Sequence, residues 1–323
     1  MRRLAPSLVH RGSGRPRCRP GRADASWAGA SREPGVRYST LGKETEMIGA
    51  QERHAEPSHE ASQARSRLAT HPAVLWQFRN SHFNEKVRWA LDWKRVPHLR
   101  RSLVPGLHIG RALWMTGKKQ VPVLSVDGQV TADSTAIIAV LERLVPDPPL
   151  YPRDPADRRR ALELEDFFDE ELGPHLRRAL FHAVLPDADF ASAFLTVGTG
   201  AVTQRLYRLC FPLVRAVMRA DMRIDDAGAA LGVRKIGAAL DHIRAELRPS
   251  GYLVGEGFTV ADLTAAALLY PLLLPPEAPY RLDRPIPPAA AEMRGSFAAH
   301  PAFTWAAGMY RRHRGTSAEV AGR

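Results

Sequence analysis

Hydrophobic residues fall into two patterns along this chain. Up to about residue 150 they form short runs broken by turn residues, which marks strands and short helices. Beyond it they recur every three to four residues, which marks helices packed on one face. Ala73–Phe78 (AVLWQF) reads as a strand and Arg79–His82 as a turn. Asn84–Lys94 reads as a helix with Val87, Ala90 and Leu91 inward. Leu99–Val104 is a second strand, and Gly106–Met115 a short, poorly periodic segment. In Lys118–Leu144, Val121, Val123 and Val126 suit a buried strand, and Asp127-Gly128 tolerates the positive φ of a tight hairpin. A second strand follows, then a helix with Ile137, Ile138, Leu141 and Leu144 on one face, which Asp133 or Ser134 can cap. Pro122 has no ladder donor, so it belongs at a strand start, an edge or a special geometry such as a cis bond.

Val145–Pro155 holds five prolines in eleven residues, which forbids a helix and marks a domain boundary. Ala156–Leu185 is helical, with a kink expected at Gly173-Pro174. Phe190–Asp221 is a second long helical segment with weak points at Gly198 and Gly200; Cys210 is expected to be buried in it. Asp226–Leu247 is amphipathic, with Leu231, Ile236, Leu240, Ile243 and Leu247 inward. Thr259 and Asp262 have capping-box spacing, with Phe258 and Leu263 as a hydrophobic staple. A Pro-rich loop, Pro271–Pro288, and a final helical piece around Phe303–His313 complete the chain.

Composition refines this picture. The chain has 323 residues, 45% of them hydrophobic, enough for two domains. Of its net charge of +12, half lies in residues 1–46; the body is only mildly basic, so no nucleic-acid partner is expected. Residues 1–70 are rich in Arg, Gly, Ser, Pro and His without apolar periodicity and read as a disordered basic tail. Within it, residues 1–40 read as a transit peptide, a polybasic arm, or upstream sequence before a start at Met47, the last or a bland tail being favoured because an apolar stripe is missing. The longest apolar run, Leu263–Pro276, is shorter than the ~20 residues of a spanning helix, so no membrane partner is expected. Two cysteines, Cys18 and Cys210, give neither a disulfide framework nor a metal-ligand spacing, and they suit a reducing, cytoplasmic setting.

Val121-Pro122, a turn between strands, and then Asp133-Ser134 resemble the thioredoxin-like half of glutathione transferases. The opening strand-loop-helix with SxxxxKVRWAL (Ser81–Leu91) and the element GxxFTxAD (Gly255–Asp262) are similar to the same family, in that order along the chain. The resemblance spans roughly residues 73–314. It implies an α/β thioredoxin-like domain (71–149) followed by an all-α helical bundle domain (150–314), with residues 315–323 as a disordered tail. It implies an enzyme that holds glutathione as its thiol substrate, without a metal, beside a small electrophilic molecule, and a possible homodimer.

By that resemblance, the cis-Pro loop at Val121-Pro122 meets the cysteinyl backbone of glutathione. Asp133 and Ser134 hold the γ-glutamyl end, and Lys119, Gln120 or Lys118 the glycyl carboxylate. Ser81 stands where thioredoxins carry their first reactive cysteine. With no thiol in Ser81–Asn84, dithiol exchange is excluded at this site. Its hydroxyl can donate to a bound sulfur and favour the thiolate, or it is merely a helix cap. His82 and Asn84 are neighbours that can substitute. Phe167, Phe168, Leu180 and Phe181 are candidates for the second substrate's face. The chain departs from the pattern in its long tail, in lacking Tyr or Cys at the active position, and in the Pro-rich loop. The alternative reading is a non-catalytic, transferase-like protein-interaction module.

Overall fold

The computed structural model describes residues 59–281 and 284–321, and these belong to one compact unit. The readings of residues 1–40, Met47 and Cys18 lie outside the described residues. The chain runs α1 (His59–Thr70), β1 (Ala73–Gln77), α2 (His82–Trp93), β2 (His98–Ser102), α3 (His108–Thr116), β3 (Val123–Val126), β4 (Gln129–Ala132) and α4 (Ser134–Leu144). The sheet order is β2-β1-β3-β4. β1 lies parallel to β2 and antiparallel to β3, and β3–β4 is the hairpin that Asp127-Gly128 predicts, with positive φ at both residues. Alternate residues of β1, Ala73, Leu75 and Gln77, are buried, as a half-covered strand requires. The expected thioredoxin-like order βαβαββα is present.

Helix α1 is an addition to this order, formed by residues assigned to the tail. Its Leu68 is buried in the core, Arg67 lies 3.8 Å from Asp127, and Arg65 donates to the Asp147 carbonyl. One buried side chain gives no periodicity, so the pattern of residues 59–70 reads as polar.

The second half is all helical: α5 (Pro155–Phe167), a π-helical turn (Phe168–Leu172), α6 (Gly173–Val184), α7 (Ala188–Leu195), α8 (Ala201–Met222), α9 (Asp226–Glu246), α10 (Val260–Leu268), α11 (Tyr270–Leu273), α12 (Pro288–Phe297) and α13 (Pro301–His313). The disturbance expected at Gly173-Pro174 is the π turn just before it; Pro174 lacks the N–H that an α-helix needs there. Gly173 is required by packing, since a Cβ would sit 2.5 Å from the Phe83 ring. The long segment read as one helix is two, α7 and α8, broken around Gly198 (φ +79°). Two inward assignments are corrected. Cys210 is exposed on α8, and Leu247 is exposed at the end of α9, because apolar character alone does not say which face of a helix is covered.

α10 is the core helix, buried along its whole length between α2, α5 and α13. The capping box forms as read. Asp262 Oδ2 accepts from the Thr259 amide and hydroxyl, both at 2.9 Å, and Oδ1 from the Leu253 amide at 2.8 Å. Phe258 packs against the Trp93 ring, tilted at 4.8 Å between centroids, and stacks on His313 at 4.6 Å, and so ties this cap to α2 and α13. Thr259→Ala should lower stability by about 1 kcal/mol, measured by chemical unfolding; an unchanged midpoint would mean that the box contributes nothing.

Residues 315–323 were expected to be disordered, and as far as they are described they dock on the first domain. Val320 N donates to His98 O at 2.9 Å and Ala318 N to Asp92 Oδ1 at 2.8 Å. Backbone bonding rather than apolar burial holds this segment, and hydrophobic patterning does not register that. Beside it lies a buried ion network. Arg314 Nε donates to Glu85 (2.7 Å) and its Nη1 to Asp92 (2.8 Å), while Arg88 takes the second Glu85 oxygen (2.7 Å).

Candidate active site

The strand register sets the geometry of the site. Trp76 on β1 pairs with Val123 on β3, and Val123 pairs with Ala132 on β4. These three residues form one row across the sheet at a single end. Ser81 follows Trp76 by five residues, Pro122 precedes Val123, and Asp133 follows Ala132. The chain therefore brings Ser81, the Val121-Pro122 loop and Asp133-Ser134 to the same sheet end, with the N-termini of α2 and α4 beside them. Free N–H groups and the positive ends of two helix dipoles gather there, an arrangement that favours anions.

Ser81 is the N-cap of α2, with extended φ of −93°. Its Oγ accepts from Asn84 N at 3.4 Å, a long cap bond that leaves the hydroxyl proton available. His82 and Asn84 lie in the first turn of α2, directly after Ser81. His82 is buried at the domain junction, and burial followed by the Arg177 charge lowers its pKa to about 3, so the ring is neutral at physiological pH. Asn84 is fully buried, and neither polar atom of its side chain has a partner among the described residues.

The Val121-Pro122 bond is cis, and Pro122 lies just before β3 begins, a position that needs no ladder donor. Pro122 is buried and Val121 half-buried, and the β3 ladder starts at Val123, so it takes up neither Val121's amide nor its carbonyl. Asp133 is the N-cap of α4, and its Oδ1 accepts from Thr135 N (3.0 Å) and Ala136 N (3.1 Å). Oδ2 is left without a hydrogen-bond partner among the described residues. Asp133 holds φ +84° and ψ +133°, a backbone conformation strained for any residue with a Cβ. Ser134 is buried directly behind it.

Beneath α4 lies a second buried ion cluster that the sequence reading missed. Lys86 Nζ, inaccessible to solvent, donates to Thr135 Oγ1 (3.0 Å), Glu165 (2.8 Å) and Asp169 (2.5 Å). Burial would depress the Lys86 ammonium, but Asp169 and Glu165 raise it above its usual value. Burial and then the Asp169 charge raise Asp166. The N-terminus of α4 is thus underlaid by Lys86, Glu165 and Asp169, contributed by both halves of the chain.

Lys119 is paired with Asp221 on α8. Its carbonyl faces His108 Nε2 at 2.9 Å. Gln120 and Lys118 are exposed in the same loop. Of the residues proposed to line a second substrate's face, Phe168 is in the core and Phe167 packs on it and on His242. Core burial explains Phe168, which is withdrawn from that face, while Phe167 is half-buried. Leu180 and Phe181 are half-buried, and Leu180 lines a small cavity of about 20 Å³ with Asn80, Phe194 and Tyr270; a larger one of about 540 Å³ lies between α6, α9 and α12. Neither includes Ser81, Pro122 or Asp133. The site is an open sheet end and not one of these cavities.

One polar residue at this end was not foreseen. The Pro-rich loop carries Tyr280 to the end of β1, where its hydroxyl accepts from Gln77 Nε2 (2.9 Å) and its ring lies 5.0 Å from the Arg79 and Arg88 cations. Some 200 residues separate the partners, so no local motif announces the contact. Among the described residues no cluster of His, Cys, Asp and Glu is able to hold a metal ion, and no helix is long and apolar enough to cross a membrane.

Comparison with known proteins bears on the fold that carries these residues. The model of the glutathione S-transferase N-terminal domain matches residues 75–149, and that of the C-terminal domain matches residues 224–292. A probable maleylacetoacetate isomerase of Drosophila melanogaster is 29% identical over 113 residues, 33% of this chain and 46% of its own. One of Caenorhabditis elegans is 33% identical over 96 residues, 29% of this chain and 45% of its own. The chain thus spans under half the length of the curated relatives it matches. A glutathione S-transferase structure from Xanthobacter autotrophicus Py2 shares the fold, with a TM-score of 0.50 and 19% identity over 74% of this chain and 93% of that one. With the family's two domains matched in order, one over the sheet and the other within the helical half, the chain belongs to the glutathione S-transferase family.

Proposed function

We propose that this protein binds glutathione across the sheet end and presents its sulfur, as thiolate, to a small electrophile. Residues 71–149 hold the tripeptide and residues 150–314 supply the second wall. The observation that carries this reading is the row Trp76–Val123–Ala132, which gathers Ser81, the cis-Pro loop and the α4 cap at one end. The γ-glutamyl carboxylate meets the α4 N-terminus at Ser134, and the free Asp133 Oδ2 takes its ammonium. Backbone groups of Val121 align the cysteinyl unit. The glycyl carboxylate reaches the loop of Lys118, Lys119 and Gln120, where Lys119 exchanges Asp221 for the ligand. The positive end of the α2 dipole and the Ser81 hydroxyl stabilise the thiolate. The thiolate then adds to an activated double bond, displaces a leaving group, or attacks a hydroperoxide oxygen. Reversible addition also suits the isomerases among the relatives. The cysteine usage fits a cytoplasmic setting, which belongs to the same proposal.

Ser81→Ala tests the mechanism. Ser81 touches only the sulfur, so glutathione affinity should change little while turnover falls. Loss of a hydrogen bond to an anionic sulfur should raise the thiol pKa by about one unit, equivalent to about 1.4 kcal/mol. Near neutral pH that lowers the thiolate fraction up to about tenfold. Ultraviolet thiolate absorbance, titrated against pH with glutathione bound, reads this directly. Identical titration and turnover in the variant would leave Ser81 a helix cap only.

A further inference from the structure

Arg79 stands two residues before Ser81, and three other segments of the chain hold its side chain. Its Nε donates to Ser102 Oγ at the end of β2 (3.1 Å). Its guanidinium lies 5.0 Å from the centroid of the Tyr280 ring in the Pro-rich loop. It also packs on Gly198, between α7 and α8, so closely that a Cβ there would sit 2.0 Å from Nη1. The loop itself is tied to α7, because Asn80 Nδ2 donates to the Phe194 carbonyl at 2.7 Å. Arg79 is half-buried, yet among the described residues its two Nη groups have no hydrogen-bond acceptor and its charge has no carboxylate partner. Its neighbours differ. Arg88, against the same Tyr280 ring, is paired with Glu85 (2.7 Å), and Arg100 with Asp92 (2.8 Å). A guanidinium held in place with its Nη edge free is shaped for a carboxylate, which takes two parallel N–H donors at once.

The glycyl carboxylate of glutathione is not that partner. Its place is the loop of Lys119, which pairs with Asp221 in the last turn of α8. Arg79 meets Gly198 just before the other end of that helix, whose 22 residues span roughly 33 Å. The two cations therefore serve different groups. We propose that Arg79 selects the second substrate, an electrophile that carries a carboxylate. This rests on the glutathione reading and adds the chemical class of the acceptor. The Cα atoms of Arg79 and Ser81 are at most about 7 Å apart, so one small acceptor can meet both the guanidinium and the sulfur held at Ser81. With an aryl halide as acceptor, the thiolate electron pair forms the C–S bond. The carbon–halogen bond breaks, and halide leaves with its own electron pair. No oxidant or reductant is consumed.

A matched pair of acceptors, 4-chloro-3,5-dinitrobenzoate and its methyl ester, tests the charge alone. The full chain is assayed with glutathione and each acceptor, and rates are corrected for the uncatalysed reaction. Arg79→Gln should lower kcat/KM for the acid roughly tenfold to a hundredfold. The loss should fall mainly on KM, because the ion pair is remote from the bonds that form and break. The ester should change by less than about twofold. Arg79→Lys should recover part of the loss for the acid, since it restores the charge without the two-pronged geometry. Glutathione affinity, measured by calorimetry without an acceptor, should be the same in both variants as in the parent. Equal losses for acid and ester would make Arg79 a brace of its loop and overturn the proposal, as would no loss for either. If glutathione still binds in those cases, the glutathione reading survives and this inference alone fails. A parent chain that binds no glutathione would overturn both.

Discussion

Replacing Arg314 with methionine is expected to lower the unfolding free energy by roughly 3–5 kcal/mol at neutral pH, the cost of leaving buried charges without their partner. Arg314 is 2% exposed and contacts two buried carboxylates from another element. Burial would raise Glu85, but Arg314 and Arg88 hold it below its usual value; Asp92 is likewise held down by Arg314, Arg100 and His98. Methionine fills the aliphatic space and removes the charge alone. The pH dependence has a definite sign. Both folded-state pKa values lie below the unfolded ones, so these groups contribute stability above about pH 4.5 that is lost as pH falls through the folded values. In the variant the two carboxyls regain protons more readily, so the deficit should shrink in acid. Denaturant titrations at pH 7 and pH 4, followed by tryptophan fluorescence, measure both effects. A deficit under 1 kcal/mol at pH 7, or one independent of pH, would show that the network is not held by charge.

The second large effect concerns the ligand. Asp133→Ala combined with Ser134→Ala should weaken glutathione binding by two to three orders of magnitude, since charge-assisted bonds contribute roughly 1.5–3 kcal/mol each. Part of the Asp133 effect acts through the fold, because its Oδ1 also caps α4. Asp133→Asn separates the contributions. It keeps a capping oxygen and removes the charge that the ligand ammonium meets, so stability should stay near wild type while affinity falls. Calorimetry with glutathione and thermal melting of both variants decide the matter. Unchanged affinity in the double variant would remove the γ-glutamyl assignment.

Local rules made much of the architecture legible in advance. A tight turn needs Asp127-Gly128, a capping box needs Thr259 and Asp262, and a proline before a central strand needs a position like that of Pro122. Each is settled within a few residues. What escaped the reading depends on contacts distant in sequence. Lys86, Arg88 and Arg314 look like ordinary surface charges until α5, the π turn and the C-terminal segment close over them. Leu209 and Leu213 look like core until the fold leaves their face of α8 uncovered. Tyr280 reaches Gln77 only because a proline-rich loop returns to β1. In the candidate site, Ser81, the cis-Pro loop and the Asp133 cap were legible from short motifs. The pairing of Lys119 with Asp221 was not, because Asp221 belongs to a helix that no local pattern connects to that loop.

The most direct measurement is a crystal structure of the protein soaked with glutathione. The expected result is the γ-glutamyl group at Asp133 and Ser134, the cysteinyl backbone against Val121, and the sulfur within hydrogen-bonding distance of Ser81 Oγ, with Lys119 released from Asp221. Glutathione bound elsewhere on the chain, or an empty sheet end at saturating ligand, would contradict it.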